Sequence, residues 1–247
     1  MLGSDSYAYL DIVLFAVLPF AAMVLFLVLT IHRYRKQTYS YSSLSSQFLE
    51  NKDHFWGMVP FHYGILLVLL GHVVAFAVPS SILWWNSVPA RLYILEVTAL
   101  AAGFLTLLGL VALTVRRLRT PRLRPVTTVM DWVLLILLLT QVVTGLLVAT
   151  LHGWGSSWFA TILTPYLWSL LSLNPDITYV AALPLMVKIH LTGNWVLIAL
   201  FPFTRLVHVL VIPNMYLWRK PQIVRWYWPR RARATQGSSS PSLPRNR

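Results

Sequence analysis

The sequence predicts an all-α integral membrane protein with five transmembrane helices. Apolar residues make up 57% of the 247 residues and charged residues only 11%, a balance too apolar for a soluble domain. Five apolar stretches approach the length that a helix needs to cross a bilayer, and most lysines and arginines lie outside them. The predicted spans cover residues 8–31, 58–78, 91–115, 131–149 and 183–212.

Positive charge predicts the orientation. Of the 20 lysines and arginines, four lie in residues 32–57, five in 116–127 and eight after residue 212. The other side has almost none, so the positive-inside rule places the N-terminus in the periplasm and the C-terminus in the cytoplasm. The net charge of +13 thus follows from topology, and we expect no nucleic-acid partner. The basic cytoplasmic tail, residues 213–247, ends in a Ser-, Pro- and Arg-rich stretch that we expect to be disordered.

Local signals mark where each span begins and ends. A basic RYRK cluster follows the first span, and the second ends near Pro79. The third begins at Arg91 and runs into a basic loop, and the fourth begins at Asp131. The aromatic-rich connection over residues 150–182 is expected to lie along the membrane interface as a short amphipathic helix. The fifth span follows it and carries two histidines.

Four histidines lie within two of the spans. His190 and His208 are eighteen positions apart, so a straight α-helix would place them on one face, about 27 Å apart. His62 and His72 lie ten positions apart in the second span. Polar groups in hydrocarbon are costly and commonly functional, and four imidazoles are the ligand number for two bis-histidine haems. The chain has no cysteine, so any haem is non-covalent and b-type.

The directions of the two spans predict how these histidines pair. His62 and His208 both approach the cytoplasmic side, and His72 and His190 both approach the periplasmic side. Each pair would therefore supply both axial ligands of one haem iron. Ten residues leave His72 about 80° from His62 around an ideal helix. Either the second span is distorted or tilted, or the two haems are offset laterally.

Glycine and proline in the two spans suggest how they could accommodate haem. Gly64 and Gly71 would let a porphyrin approach the backbone closely. Pro202 is expected to kink the fifth span between its histidines, or to serve only as a packing kink. The remaining histidines are expected to be surface or loop residues outside the bilayer: His32, His54 and His152.

Two haems across a bilayer carry electrons but need a donor, and a lipid-soluble quinol can reach a haem from within the membrane. Arg91 lies at about the depth of His72 and could bind a quinone oxygen or a haem propionate. Alternatively, it is an interfacial arginine that snorkels to headgroups. Glu96 and Asp131 are carboxylates at membrane depth, which could relay protons or simply pair with nearby bases.

Several motifs together resemble the gamma subunit of respiratory nitrate reductase, a five-span dihaem cytochrome b. The resemblance covers residues 45–225, including SSQFL, FHYGIL followed by GH, RRLRTPRLRPVTT, FPF before RLVHVL, and YLWRK with QIVR. It implies that His62 and His208 ligate the cytoplasmic-side haem b and His72 and His190 the periplasmic-side haem b. It also implies oxidation of menaquinol or ubiquinol at a site containing Gly71, His72 and Arg91, where the family commonly has lysine at the last position.

The resemblance further implies a multi-pass protein of the prokaryotic inner membrane that contacts the quinone pool. Its partners would be an iron–sulfur beta subunit and a molybdenum-containing alpha subunit on the cytoplasmic face. Nitrate would be reduced on a partner, so this chain would carry no catalytic residue for that step. Two alternatives stay open: a related dihaem subunit of a sulfite or heterodisulfide reductase system, and a haem-free membrane anchor or transporter.

Overall fold

A computed structural model describes residues 9–37 and 52–211, and these residues form helices and connecting turns without a β-strand. Five helices in the described residues are long and apolar enough to cross a membrane, which confirms the predicted all-α, five-span fold. They are α1 (Tyr9–Lys36), α2 (Lys52–Ala77), α4 (Pro89–Arg119), α5 (Val129–Leu151) and α9 (Leu185–Leu200). The predicted tail, residues 213–247, lies outside the described residues, and the orientation of the termini stays a prediction.

Within the described residues, four short helices and several tighter or wider turns connect the spans. The short helices are α3 (Pro79–Asn86), α6 (Gly155–Trp158), α7 (Thr164–Leu171) and α8 (Thr178–Ala181). The π-helical turns are Val13–Val17 in α1 and Phe159–Leu163 between α6 and α7. The 3₁₀ segments are Pro121–Val126, Phe201–Phe203 and Arg205–Val211.

The helices extend beyond the apolar stretches that predict them. α1 continues to Lys36 rather than ending at residue 31, with Arg33, Arg35 and Lys36 in its last turn. Basic side chains at this position interact favourably with the negative end of the helix dipole. His32 is therefore an exposed helical residue rather than a loop residue. The side chain of His54 lies outside the described part of the chain.

Large apolar side chains cover the outer surfaces of the spans. On α2, Leu66, Leu69, Leu70 and Val73 are each more than half exposed. An apolar surface of this kind would be unfavourable in water, but it matches the hydrocarbon of a bilayer. The chain is therefore a multi-pass membrane protein.

Glycine residues allow α2 and α4 to cross at close range. A Cβ added to Gly64 would lie 2.6 Å from the Thr106 nitrogen and 2.7 Å from the Ala102 oxygen. A Cβ at Gly109 would lie 2.7 Å from the Gly57 oxygen. Close helix crossings need such residues without side chains. The expectation that Gly64 makes room for a porphyrin is wrong, because α4 already fills that space.

The connection over residues 150–182 is packed into the interior of the protein. Tyr166 and Val180 are completely buried, in a cluster with Phe15 of α1 and Trp195 of α9. The Tyr166 hydroxyl donates a hydrogen bond to the Phe15 carbonyl, 2.8 Å away. Burial raises the pKa of Tyr166, so it stays a neutral donor. The segment contacts the spans on its apolar side, whereas the sequence predicts only a surface helix at the interface.

Gly109→Ala is expected to lower the free energy of unfolding by at least about 1–3 kcal/mol, because the added methyl meets backbone atoms that cannot move aside. Thermal unfolding of the purified protein in detergent would measure the change. Gly153→Ala is the matched control, since a Cβ there meets nothing within 4 Å. Equal melting temperatures for the two variants would contradict the close crossing of α2 and α4.

Candidate functional site

The structure brings His62 and His208 close together, although 146 positions separate them in the sequence. Their ring centres lie 6.4 Å apart, with the ring planes at 60°. His62 lies on α2 and His208 in the 3₁₀ segment Arg205–Val211. Both side chains are half-buried. The two imidazoles therefore lie close to each other although they belong to different spans.

The spacing fits two imidazoles that share one metal ion. A metal lies about 2.1 Å from an imidazole nitrogen, which itself lies about 1.1 Å from the ring centre. Two imidazoles on opposite sides of a metal therefore have ring centres about 6.4 Å apart. The ring centres of His62 and His208 are separated by the same distance.

All four intramembrane histidines have their Nδ1 atoms engaged within the protein. Nδ1 of His62 lies 2.9 Å from the Met58 carbonyl, and Nδ1 of His72 lies 2.8 Å from the Val68 carbonyl. Nδ1 of His208 lies 2.6 Å from the carbonyl of Arg205. A carbonyl only accepts, so Nδ1 carries the proton in these three rings and the lone pair lies on Nε2. This arrangement is typical of metal-ligating histidines.

The fourth histidine, His190, is held by α5. Its Nδ1 lies 3.0 Å from the Thr144 hydroxyl, which donates its own hydrogen to the Thr140 carbonyl, 2.8 Å away. Thr144 therefore accepts the Nδ1 proton. The His190 carbonyl accepts from Gln141, 2.8 Å away, and a Cβ added to Gly145 would lie 2.9 Å from the imidazole.

These three α5 residues were not among the predicted site residues, although their spacing in the sequence carries a signal. Gln141, Thr144 and Gly145 recur at the i, i+3, i+4 positions of one helix face. A glutamine within a span is costly unless it finds a partner, and here that partner is the backbone at His190. The face of α5 that carries these residues thus orients the His190 ring.

His72 and His190 make no ring-to-ring contact among those found in the described residues. The His72 ring is exposed on α2 and packs edge-on against Phe159, with ring centres 5.4 Å apart. α2 is helical throughout Lys52–Ala77, so His62 and His72 leave it in different directions. An unbroken α2 leaves a tilted helix and laterally offset haems as the remaining predictions.

α9 does not continue as one straight helix to His208. The α-helix ends at Leu200, and the chain passes through the 3₁₀ turn Phe201–Phe203 and a bend at Thr204. Pro202 lacks the backbone N–H that an α-helix needs, so the predicted interruption occurs there. The unbroken helix that the predicted spacing of about 27 Å between His190 and His208 assumes is therefore absent, because the α-helix ends at Leu200.

Polar contacts from two other spans hold the segment after this break. The Arg33 guanidinium at the end of α1 donates to the carbonyls of Pro202 and Thr204. Arg205 forms an ion pair with Asp131 of α5, with a distance of 2.7 Å between Nε and Oδ1. These contacts satisfy polar groups that the end of the helix would otherwise leave unpaired.

The residues expected at a quinol site occupy the opposite end of the spans from His62. A Cβ added to Gly71 would have no neighbouring atom within 4 Å, so the helix surface beside His72 is open. The Arg91 guanidinium lies 4.6 Å from the ring centre of Trp84 and 5.5 Å from that of Trp85. It also approaches the Trp84 carbonyl and the Ser87 hydroxyl, at 3.4 and 3.3 Å.

A cleft lies beside these tryptophans. Its volume is about 400 Å³, and its lining consists of Ser81, Ile82, Trp84, Trp85 and Leu95. Ligand sites commonly have volumes in this range and apolar walls. The segment after α5 lies between this region and His72. Ser156 and Ser157 accept hydrogen bonds from Asn86 of α3. A few residues further on, Phe159 contacts the His72 ring.

The two carboxylates singled out in the sequence have different partners. Asp131 is buried and lies within reach of both Arg205 and Arg117, so it pairs with bases. Glu96 accepts hydrogen bonds from the backbone amide and hydroxyl of Ser156, at 2.9 and 2.7 Å. His152, expected to be a loop residue, follows the last residue of α5.

The His62 and His208 imidazoles supply two ligand nitrogens, which suits a metal whose other ligands come from a cofactor. In the described part of the chain, no three or more His, Asp or Glu side chains form a cluster able to hold a metal ion. A pair of imidazoles fits the iron of a porphyrin, whose four equatorial nitrogens come from the macrocycle. The fold and these residues define a helical multi-pass membrane protein with one close pair of imidazoles, His62 and His208.

Comparisons with known proteins identify the family. The sequence profile of the nitrate reductase gamma subunit family matches residues 11–227. The chain is 31% identical over 217 residues to the nitrate reductase gamma chain of Bacillus subtilis, covering 86% of this chain and 97% of that protein. It is 31% identical over 225 residues to the respiratory nitrate reductase 1 gamma chain of Escherichia coli, covering 88% and 98%. A nitrate reductase-like protein of Mycobacterium tuberculosis is 32% identical over 222 residues, with 84% of this chain and 32% of that protein covered.

The chain therefore belongs to the nitrate reductase gamma subunit family.

Arg33→Met is expected to lower the free energy of unfolding by about 1–3 kcal/mol, because it leaves carbonyls at the buried residues Pro202 and Thr204 without a donor. Chemical denaturation in detergent would measure the loss. Arg35→Met removes the same charge from an exposed position in the same helical turn and serves as the control. Equal losses in both variants would show that charge, rather than these hydrogen bonds, stabilises the segment.

Proposed function

We propose that this chain is the membrane-anchoring cytochrome b subunit of a respiratory nitrate reductase. It oxidises quinol near the periplasmic side and passes the electrons through two b haems to a cytoplasmic iron–sulfur beta subunit. A molybdenum-containing alpha subunit then reduces nitrate. The observation that carries the proposal is the pair of imidazoles, His62 and His208, with ring centres 6.4 Å apart. Membership of the nitrate reductase gamma subunit family supports the choice of complex.

His62 and His208 would hold the haem nearer the cytoplasm, and His72 and His190 the haem nearer the periplasm. When bound, the haems accept and donate single electrons between the two sides of the membrane. The protein keeps each imidazole oriented by a hydrogen bond at Nδ1, which leaves Nε2 as the ligand nitrogen. Since Nδ1 donates in each ring, all four imidazoles are strengthened as ligands in the same way.

Gly71, His72 and Arg91 would form the quinol site. Arg91 is a fixed cation at the end of the spans, because both its stacking on Trp84 and its hydrogen bonds restrict it. A guanidinium so placed can donate to a quinone oxygen, and the open surface at Gly71 leaves access from the lipid. Oxidation of one quinol releases two protons, to the periplasm, and two electrons, to the haems.

Each histidine variant is expected to lose one haem of two. His62→Ala and His208→Ala should lose the same haem, and His72→Ala and His190→Ala the other, because a b haem without one axial ligand is bound weakly. The haem-to-protein ratio and the low-spin electron paramagnetic resonance (EPR) spectrum of the purified complex measure this. His152→Ala should keep both haems. A wild-type complex without haem would support the anchor or transporter alternative instead.

A menaquinol analogue is expected to reduce both haems, and nitrate should then reoxidise them, as followed in reduced-minus-oxidised visible spectra of the complex. Arg91→Met should slow reduction at least about tenfold without loss of haem, since one charge-assisted hydrogen bond contributes about 1.5–3 kcal/mol. Arg91→Lys keeps the charge and should recover part of the rate. Haems that are reduced by quinol but not reoxidised by nitrate would point to another acceptor, as in sulfite or heterodisulfide reductase systems.

A further inference from the structure

Each histidine of the fifth span follows a basic residue that a carboxylate from another helix holds. Lys188 lies two positions before His190, and its ammonium contacts both carboxylate oxygens of Asp11, at 2.9 and 2.7 Å. Arg205 lies three positions before His208 and contacts both oxygens of Asp131. The chain thus has two similar ion pairs, one near each proposed haem.

We propose that Asp131 acts through Arg205 as a positioning residue for the His208 imidazole. The proposal rests on the proposed function, in which His208 ligates the haem nearer the cytoplasm. Nε of Arg205 lies 2.7 Å from Oδ1 of Asp131, and Nη2 lies 2.8 Å from Oδ2. Such two-point contacts fix the guanidinium in orientation as well as in position.

The backbone of Arg205 transmits this constraint to His208. The segment Arg205–Val211 is 3₁₀-helical, with three residues per turn, so positions 205 and 208 lie one above the other on the same face. Nδ1 of His208 donates to the carbonyl of Arg205 itself, over 2.6 Å. Asp131 therefore holds the side chain of Arg205, and the carbonyl of Arg205 orients the His208 imidazole.

The segment needs an external anchor because the break at Pro202 separates it from α9. 3₁₀ segments have weaker hydrogen-bond geometry than α-helices and are seldom long. A second contact strengthens the anchor, as Nη2 of Arg205 also donates to the Val126 carbonyl, 2.9 Å away. Both contacts come from the region where α5 begins.

Asp131 is itself rigidly held. It is 5% exposed and caps its own helix, with Oδ2 accepting from the Thr128 amide at 2.9 Å. Arg117 of α4 lies 3.4 Å from the same oxygen. The carboxylate thus joins the beginning of α5, the end of α4 and the segment that carries His208. Movement of this junction would move the imidazole.

Asp131→Asn is expected to alter the haem held by His62 and His208 and to leave the other haem unchanged. Asparagine keeps an oxygen for Thr128 but cannot hold Arg205 as an ion pair. A less restricted imidazole should broaden and shift the low-spin EPR signal of this haem in the purified complex. Its midpoint potential should rise, since two arginines lose their counter-charge and net positive charge favours the reduced iron. The signal belonging to this haem is identified by its absence in His62→Ala.

Arg205→Lys separates geometry from charge. Lysine keeps the positive charge but lacks the planar two-point contact, so the EPR signal should broaden with little change in potential. This variant also tests the proposal if Asp131→Asn does not fold. Asp11→Asn is the matched control: it breaks the similar pair at Lys188 and should leave the His62/His208 signal unchanged.

An unchanged EPR signal in both the Asp131 and Arg205 variants, with haem retained, would overturn the positioning role. Equal changes in both haems would also overturn it, because they would indicate a general loss of stability. Failure of the proposed function is distinguishable, since it would appear in the wild-type complex as missing haems, before any of these variants is compared.

Discussion

The break in the last span at Pro202 is the constraint on which the arrangement of His208 depends. A proline in the helix interior removes one backbone donor and ends the regular hydrogen-bond pattern. The chain leaves α9 at Leu200 and changes direction before Arg205. Carbonyls at the break then need donors, and Arg33 from the first span provides them. The break thus ties the beginning and the end of the five-span domain together, and it allows His208 to approach His62.

Polar groups within the spans follow a common rule in this protein. Asp11 pairs with Lys188, Asp131 with Arg205 and Arg117, and Gln141 with the backbone carbonyl at His190. In hydrocarbon no water can replace a missing partner, so these side chains are stabilised by partners inside the protein. The same contacts restrict the rotation of the helices that carry them. A helix held by a polar pair on one side and a glycine contact on another has little freedom to turn.

Glycine has two different roles in the second span, and the sequence does not distinguish them. Gly64 and Gly71 both lie among apolar residues close to a histidine. In the structure, Gly64 is covered by Thr106 and Ala102 of α4, whereas the surface at Gly71 is open. Which glycine faces a neighbouring helix depends on how α2 and α4 cross, and that is a property of both helices together.

The sequence alone determined the number of spans and the four candidate ligands, because both depend on local signals: the length of apolar runs and polar residues inside them. It also predicted the interruption at Pro202, a consequence of proline chemistry at one position. Only the tertiary structure decided which partners each of these residues meets. In the tertiary structure, Thr144 and Gly145 lie beside His190, and Asp131 pairs with Arg205. The ring centres of His62 and His208 lie 6.4 Å apart. The residues of each of these contacts are far apart in the chain. Their proximity depends on the rotation and crossing of whole helices, which spacing along a single helix does not specify.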